Sequence, residues 1–266
     1  MREYLFNTVL RALWSGTLLI GVPIIVAWLL QKIGDRIRTI GYSCGRVYMY
    51  FVAIGIACHE TGHAVGAWIS GNKVLEFVPF APFFPGRKGP PNAIGWIRHT
   101  CCGKVSDAII STGPIWFGGG VIVLLTRFLI GNELHISFYD YFEPGELPGL
   151  ISYLVACLRC VVLLCCDLAG GALFSGWKML LWGYLVFCIA SEMGMSSIDF
   201  KCARVGLCQI LGSILLLLLL PFVGKWIATG AAFLLPKFFI VHVLMILAVF
   251  INAGFFFLER FIVRIT

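Results

Sequence analysis

Five stretches of about twenty mostly apolar residues run through this chain, at 12–31, 47–69, 106–126, 203–224 and 238–258. A helix needs about 20 such residues to cross the hydrocarbon core of a bilayer. Within lipid every backbone polar group must be paired internally, so runs of this length and number point to a bundle of membrane helices. A sixth run, 177–191, is shorter, but Trp177, Trp182 and Tyr184 suit it to an interfacial anchor. Only 12% of the residues are charged and 60% are hydrophobic. Soluble domains carry roughly 25% charged residues, which this chain cannot match over a water-facing surface. No long polar stretch stands apart as a second unit. The expected fold is all-α and integral to the membrane, with about six transmembrane helices in a single polytopic domain over 1–266. The lipid bilayer is then its first partner, and which membrane is not legible. Residues 12–31 are long enough to span, and no small-residue cleavage site precedes Lys32, so a retained helix is expected there.

Residues 149–166 are apolar but carry Arg159 in the middle, which is costly at the bilayer centre. Loop charges give an orientation. The 131–148 segment holds Glu133, Asp140, Glu143 and Glu146 and no lysine or arginine, and reads as non-cytoplasmic. The 70–105 segment holds Lys73, Arg87, Lys88, Arg98 and Lys104 against Glu76, and reads as cytoplasmic. The basic residues Lys32, Arg36, Arg38 and Arg46 after the first helix run against this orientation. The net charge of +7 comes from such loops, and no basic stripe with interleaved aromatics marks a nucleic-acid surface. No nucleic acid is expected as a partner.

Pro79, Pro82, Pro85, Gly86, Gly89, Pro90 and Pro91 forbid a long helix over 72–100. The runs Lys73–Val78 and Ala93–Arg98 have strand character, so a short hairpin at the membrane surface is expected. The eleven cysteines show no zinc-finger spacing, and Cys157, Cys160, Cys165, Cys166 and Cys188 lie in apolar runs as small hydrophobes. The adjacent pair Cys101–Cys102 suits no ordinary disulfide.

The 47–69 run also contains His59-Glu60-Thr61-Gly62-His63. On a helix, residues four apart lie about 40° from one another around the axis, one turn apart. Two imidazoles so placed can grip one zinc ion, with Glu60 beside them as general base. A metal lowers the pKa of its bound water to about 7. Ionisable residues within a membrane helix are rare and functional by default. Gly55, Ala57, Gly62, Ala64, Gly66 and Ala67 on the same helix permit close helix contact.

A catalytic zinc takes a third protein ligand and keeps an open position. Asp199, in Met-Ser-Ser-Ile-Asp, and Asp167, in Asp-Leu-Ala-Gly-Gly, are the two candidates. If 149–166 crosses the membrane, Asp167 reaches the depth of the histidines. If it lies along the outer surface, Asp199 does, and Lys201, Arg204, Arg260 and Arg264 then fall on the cytoplasmic side. The second arrangement is favoured, with His59, His63 and Asp199 as metal ligands. His99 is a lesser candidate for an extra ligand or proton shuttle. His242 and Asn252 suit hydrogen bonds between helices, and His135 falls in the acidic loop.

The stretch His59 to Ala67, then Gly71 and Lys73-Val74, Gly95-Trp96-Ile97-Arg98-His99 and Gly113-Pro114, resembles the site-2 protease family of intramembrane zinc metallopeptidases. It is most similar to the short members of that superfamily, which have a Gly-aromatic-Val-x-His segment and a Pro-Ser-x-x-Asp segment. Here the latter reads Ser196-Ser197-Ile198-Asp199. The similarity covers roughly 50–200, and a metallopeptidase-like core is expected over about 47–205. The resemblance implies zinc-dependent cleavage of a membrane-embedded protein or peptide, with His59 and His63 as ligands and Glu60 as base. Better-known members take their third ligand from an Asn-Pro segment ending in Asp-Gly. This chain has no such segment, and Asp167 with Gly170 and Gly171 only echoes it. The Pro-rich 79–91 segment or the adjacent hairpin is placed to gate or pair with an unwound substrate. The competing expectation is a non-catalytic membrane protein with a structural metal site, a scaffold or a transporter. A transporter predicts broken helices or internal repeats, and the sequence displays neither.

Overall fold

Glycine and proline decide how closely the central helices approach. The computed structural model describes residues 10–41, 46–131, 137–143, 148–169, 176–218 and 221–265, apart from 12, 15, 88, 91, 92 and 101. A π-helical turn at Thr17–Gly21 leads into α1 (Val22–Gly41), followed by α2 (Arg46–Phe51) and α3 (Ala53–Ile69). Two strands come next, β1 (Val74–Val78) and β2 (Trp96–His99). The remainder is helical: α4 (Lys104–Ile130), α5 (Leu150–Ala169), α6 (Gly176–Glu192), α7 (Ser197–Leu218) and α8 (Pro221–Ile265).

Backbone meets backbone where α3, α4, α6 and α7 join. A Cβ added at Gly62 would lie 2.6 Å from Pro114 Cα, and one at Gly66 would lie 2.9 Å from the Ile109 carbonyl oxygen. Gly55 rests on the Cys188 carbonyl of α6, and Gly206 of α7 rests on the Lys104 carbonyl of α4. Small residues at each contact let the backbones approach closely, so that dispersion and hydrogen bonds act between the helices. Around this cluster, Leu18, Val22 and Val26 of the first helical stretch are buried in one core with Phe239, Val243 and Leu247 of α8.

Three helical stretches, Thr17–Arg36, Lys104–Ile130 and Phe233–Gly254, are long and apolar enough to cross a membrane. The sequence leads to an expectation of about six, and the local reasons for the difference differ. The 47–69 run breaks at Val52, which leaves 17 residues in α3. The Phe51 carbonyl at the break accepts from Tyr184 Oη at 2.7 Å and from Cys188 Sγ at 3.3 Å. Side-chain donors that enter the helical ladder are a known cause of such kinks. α6 also has 17 residues, about 26 Å at 1.5 Å per residue. α7 begins at Ser197, earlier than the expected 203, and so takes Asp199, Lys201 and Arg204 into its first turns. α8 runs 45 residues and contains Pro236.

α4 and α6 are antiparallel. Trp182 Nε1 donates to Thr126 Oγ1 near the end of α4 and the beginning of α6. At the opposite end, the α4 residue Ile110 and the α6 residue Glu192 both reach the histidines of α3. The end of α4 and the beginning of α6 thus lie at one end of the bundle, and the histidines lie at the other. Arg159 is exposed on α5, and Tyr153 of the same helix hydrogen-bonds His242 of α8 at 2.6 Å. Asn252 is buried and donates to Ala248 O within α8, and His135 lies outside the described residues.

The expected hairpin is present. β1 and β2 pair antiparallel, with Val78 opposite Trp96, Phe77 opposite Ile97 and Glu76 opposite Arg98. Glu76 lies 3.6 Å from both Arg87 and Arg98, which ties the proline-rich connection to the sheet. Asn72 at the base of β1 hydrogen-bonds Ser106 of α4, which fixes the hairpin to the mouth of the bundle.

Candidate metal centre

α3 turns His59 and His63 to the same side, and each ring is held by a backbone carbonyl that has lost its helical donor. His63 Nδ1 lies 2.8 Å from the Ile110 carbonyl oxygen. In a regular helix that carbonyl would accept from residue 114, but Pro114 has no N–H. His59 Nδ1 lies 2.6 Å from the carbonyl oxygen of Glu192, the last residue of α6. The final carbonyls of a helix have no partner within it. Proline in one helix and a terminus in another therefore supply the two acceptors.

The tautomers follow from these contacts. A carbonyl oxygen only accepts, so both Nδ1 atoms carry the hydrogen and donate it. In its neutral form a ring so held presents a lone pair at Nε2. The two Nε2 atoms face one another at 3.0 Å. Asp199 Oδ1 lies 3.6 Å from His63 Nε2, and Asp199 Oδ2 lies 4.0 Å from His59 Nε2. Among the described residues, His59, His63 and Asp199 are the group whose ligand atoms all lie within 4.8 Å of one another. Bonds of about 2.0–2.2 Å to a tetrahedral metal give ligand–ligand edges of about 3.3–3.6 Å; the nitrogens stand closer than that, and the two carboxylate separations run to different oxygens of Asp199. Two neutral imidazoles and a carboxylate converging in this way could hold a metal ion.

The carboxylate is aimed by its own helix. Ser196 N donates to Asp199 Oδ2 at 2.9 Å, and Asp199 N donates to Ser196 Oγ at 3.1 Å. This reciprocal pair is a capping box with aspartate in the fourth position. The same bonds that begin α7 set the carboxylate against the histidines. Outer-shell bonds of this kind orient ligands and raise their basicity.

These residues line a cavity of about 610 Å³. Glu60 is on its wall, and the backbone of Gly95, just before β2, lies against the Glu60 side chain. His99 also lines the cavity but is not among the three converging groups, and its Nδ1 donates to Thr100 O at 2.7 Å. The side chain of Asp167 lies outside the described residues. Sequence reasoning missed Glu192, which is buried and lines the cavity. The signal was available, because Glu192 is the one acid in the 177–195 stretch. It also gave Pro114 no part beyond the resemblance that Gly113-Pro114 carries.

The effect of Pro114 on His63 is testable. Pro114→Ala restores an N–H that competes for the Ile110 carbonyl and loosens His63. Affinity for a metal ion held there, measured with zinc as the probe, is expected to fall by about 10–100-fold, the usual cost of an outer-shell loss. Competition with a chromophoric chelator measures it, and an unchanged affinity would remove Pro114 from the site.

No protein-family model, curated protein or solved structure matches the chain.

Proposed function

We propose that this chain is an intramembrane zinc metallopeptidase that hydrolyses a peptide bond of a membrane-embedded substrate. The observation that carries the reading is the convergence of two Nε2 lone pairs and one carboxylate, each held by bonds to backbone or cap, with Glu60 on the same cavity wall. His59, His63 and Asp199 are the ligands in this reading, and Glu60 is the base. A bound zinc supplies Lewis acidity, bringing the pKa of water to about 7 and drawing charge from a carbonyl oxygen. The Glu60 carboxylate takes the proton from the attacking water as its oxygen bonds to the peptide carbon. The C–N bond then breaks, and Glu60 passes that proton to the leaving nitrogen.

In the same reading about six segments cross the bilayer: the α1 segment, α2 with α3, α4, α6, α7 and α8. Single helices of 17 residues suffice where the bilayer thins or flanking side chains reach outward. A substrate helix must unwind before its carbonyls are accessible, and the antiparallel sheet with its proline-rich connection borders the cavity where an extended segment would lie. The test is purified protein in proteoliposomes with a panel of transmembrane peptides. Cleavage that stops with a chelator and returns with zinc is expected. Cleavage that survives metal removal would contradict the reading.

A further inference from the structure

Unwinding a membrane helix strips its backbone carbonyls of their donors, and lipid offers none in exchange. A cavity that holds such a segment has to supply N–H groups of its own. Among the described residues, three buried side-chain polar atoms lack a hydrogen-bond partner: Trp96 Nε1, His242 Nε2 and Asn252 Oδ1. The last two belong to α8 and do not line the cavity. Trp96 lines it and is 7% exposed. An indole nitrogen only donates, so an acceptor is what it lacks.

The ring is held in place independently of that bond. Trp96 pairs with Val78 across the sheet. A Cβ added at Gly89 would lie 2.5 Å from Cε3 and Cζ3 of the indole, so the backbone of the strand connection rests directly on the ring. Gly95, the residue before it, lies against the Glu60 side chain. Ile56, Ile94 and Ile97 line the same cavity and give it an apolar wall. A hydrogen bond is stronger electrostatically in such surroundings than in water. The donor is uncharged and single, which suits a neutral carbonyl, and every residue of a peptide brings one.

We propose that Trp96 is a substrate-binding residue whose Nε1–H takes one backbone carbonyl of the unwound peptide segment. The cavity then recognises main chain at this point, whatever side chain the peptide residue carries. The nitrogen is shielded from water, so the bond forms as the entering peptide displaces part of the wall. The inference rests on the metallopeptidase reading for what the cavity holds.

The experiment measures binding of a fluorescent transmembrane peptide to full-chain Glu60→Gln protein in proteoliposomes. Single amide bonds of the peptide are replaced in turn by a trans-alkene, which keeps the shape and removes the carbonyl. At one position the replacement is expected to weaken binding at least about fivefold, the low end for a buried hydrogen bond left unmade. Adding Trp96→Phe is expected to abolish the cost at that position and to keep it elsewhere. A second readout needs no change at Trp96. One of the eight tryptophan indole N–H resonances is expected to move downfield with the all-amide peptide and to stay in place with that alkene. A positional cost that survives Trp96→Phe, no indole resonance that separates the two peptides, or no peptide binding at all would overturn the proposal. Cleavage of the all-amide peptide by wild-type protein is scored separately. No cleavage with the positional cost intact contradicts the peptidase reading and keeps the Trp96 contact, and cleavage without that cost does the reverse.

Discussion

Glu60→Gln is expected to lower turnover of a membrane-embedded substrate by about 100- to 10,000-fold, the range of general acid–base catalysis, and to leave the zinc content unchanged. Glutamine keeps the shape of the side chain and its packing under Gly95. It removes only the capacity to take and return a proton. Because Glu60 is not one of the three converging ligands, the metal should remain. Cleavage in proteoliposomes together with zinc analysis of the same sample separates the two effects. Full turnover in the variant would remove Glu60 from the chemistry. Zinc retained by both proteins, with no cleavage by either, would favour a structural metal site in a non-catalytic membrane protein.

His63→Ala is expected to strip the zinc and abolish turnover. The ring holds one of three donors, and its Nδ1–H is the bond that joins α3 to the freed carbonyl of α4. Loss of a direct ligand should exceed the 10–100-fold in affinity that outer-shell losses typically cost. Asp199→Ala should have the same consequence and should also weaken the start of α7, since the carboxylate accepts from Ser196 N. Losing a cap of this kind costs about 0.5–2 kcal/mol. A melting curve recorded beside the zinc measurement separates lost coordination from lost folding. Asp167→Ala serves as the contrast: it is expected to retain zinc. If Asp167→Ala loses the metal and Asp199→Ala keeps it, the ligand assignment is reversed.

The legible parts of this protein are those fixed by local chemistry. The apolar runs were expected to be helical because a backbone in lipid can form little else, and the described parts of those runs are mostly helical. The spacing of His59 and His63 places both rings on one helix face without reference to any other segment. Prolines at 79–91 stop a helix, and the strands form on either side of them. Asp199 was expected by a longer route, through the cost of Arg159 in a membrane span, and it lies with the two histidines.

What was not legible depends on partners distant in the chain. The break at Val52 needs Tyr184 and Cys188 to reach the Phe51 carbonyl. Nothing within 47–69 announces them. The effect of Pro114 on His63 emerges only when α3 and α4 pack with glycine against backbone. Glu192 is a lone acid at the end of an apolar run, and its place beside the histidines depends on α6 running antiparallel to α4. Helix length was misjudged where caps govern it. The Ser196–Asp199 box begins α7 six residues before the apolar run that suggested it.

The most direct measurement is zinc X-ray absorption on purified wild-type protein in detergent, with metal content determined on the same sample. The expected result is about one zinc per chain, with two nitrogen neighbours at about 2.0–2.1 Å and oxygen neighbours at about 2.0–2.2 Å. Protein that binds no zinc, or zinc held by sulfur at about 2.3 Å, would contradict the account.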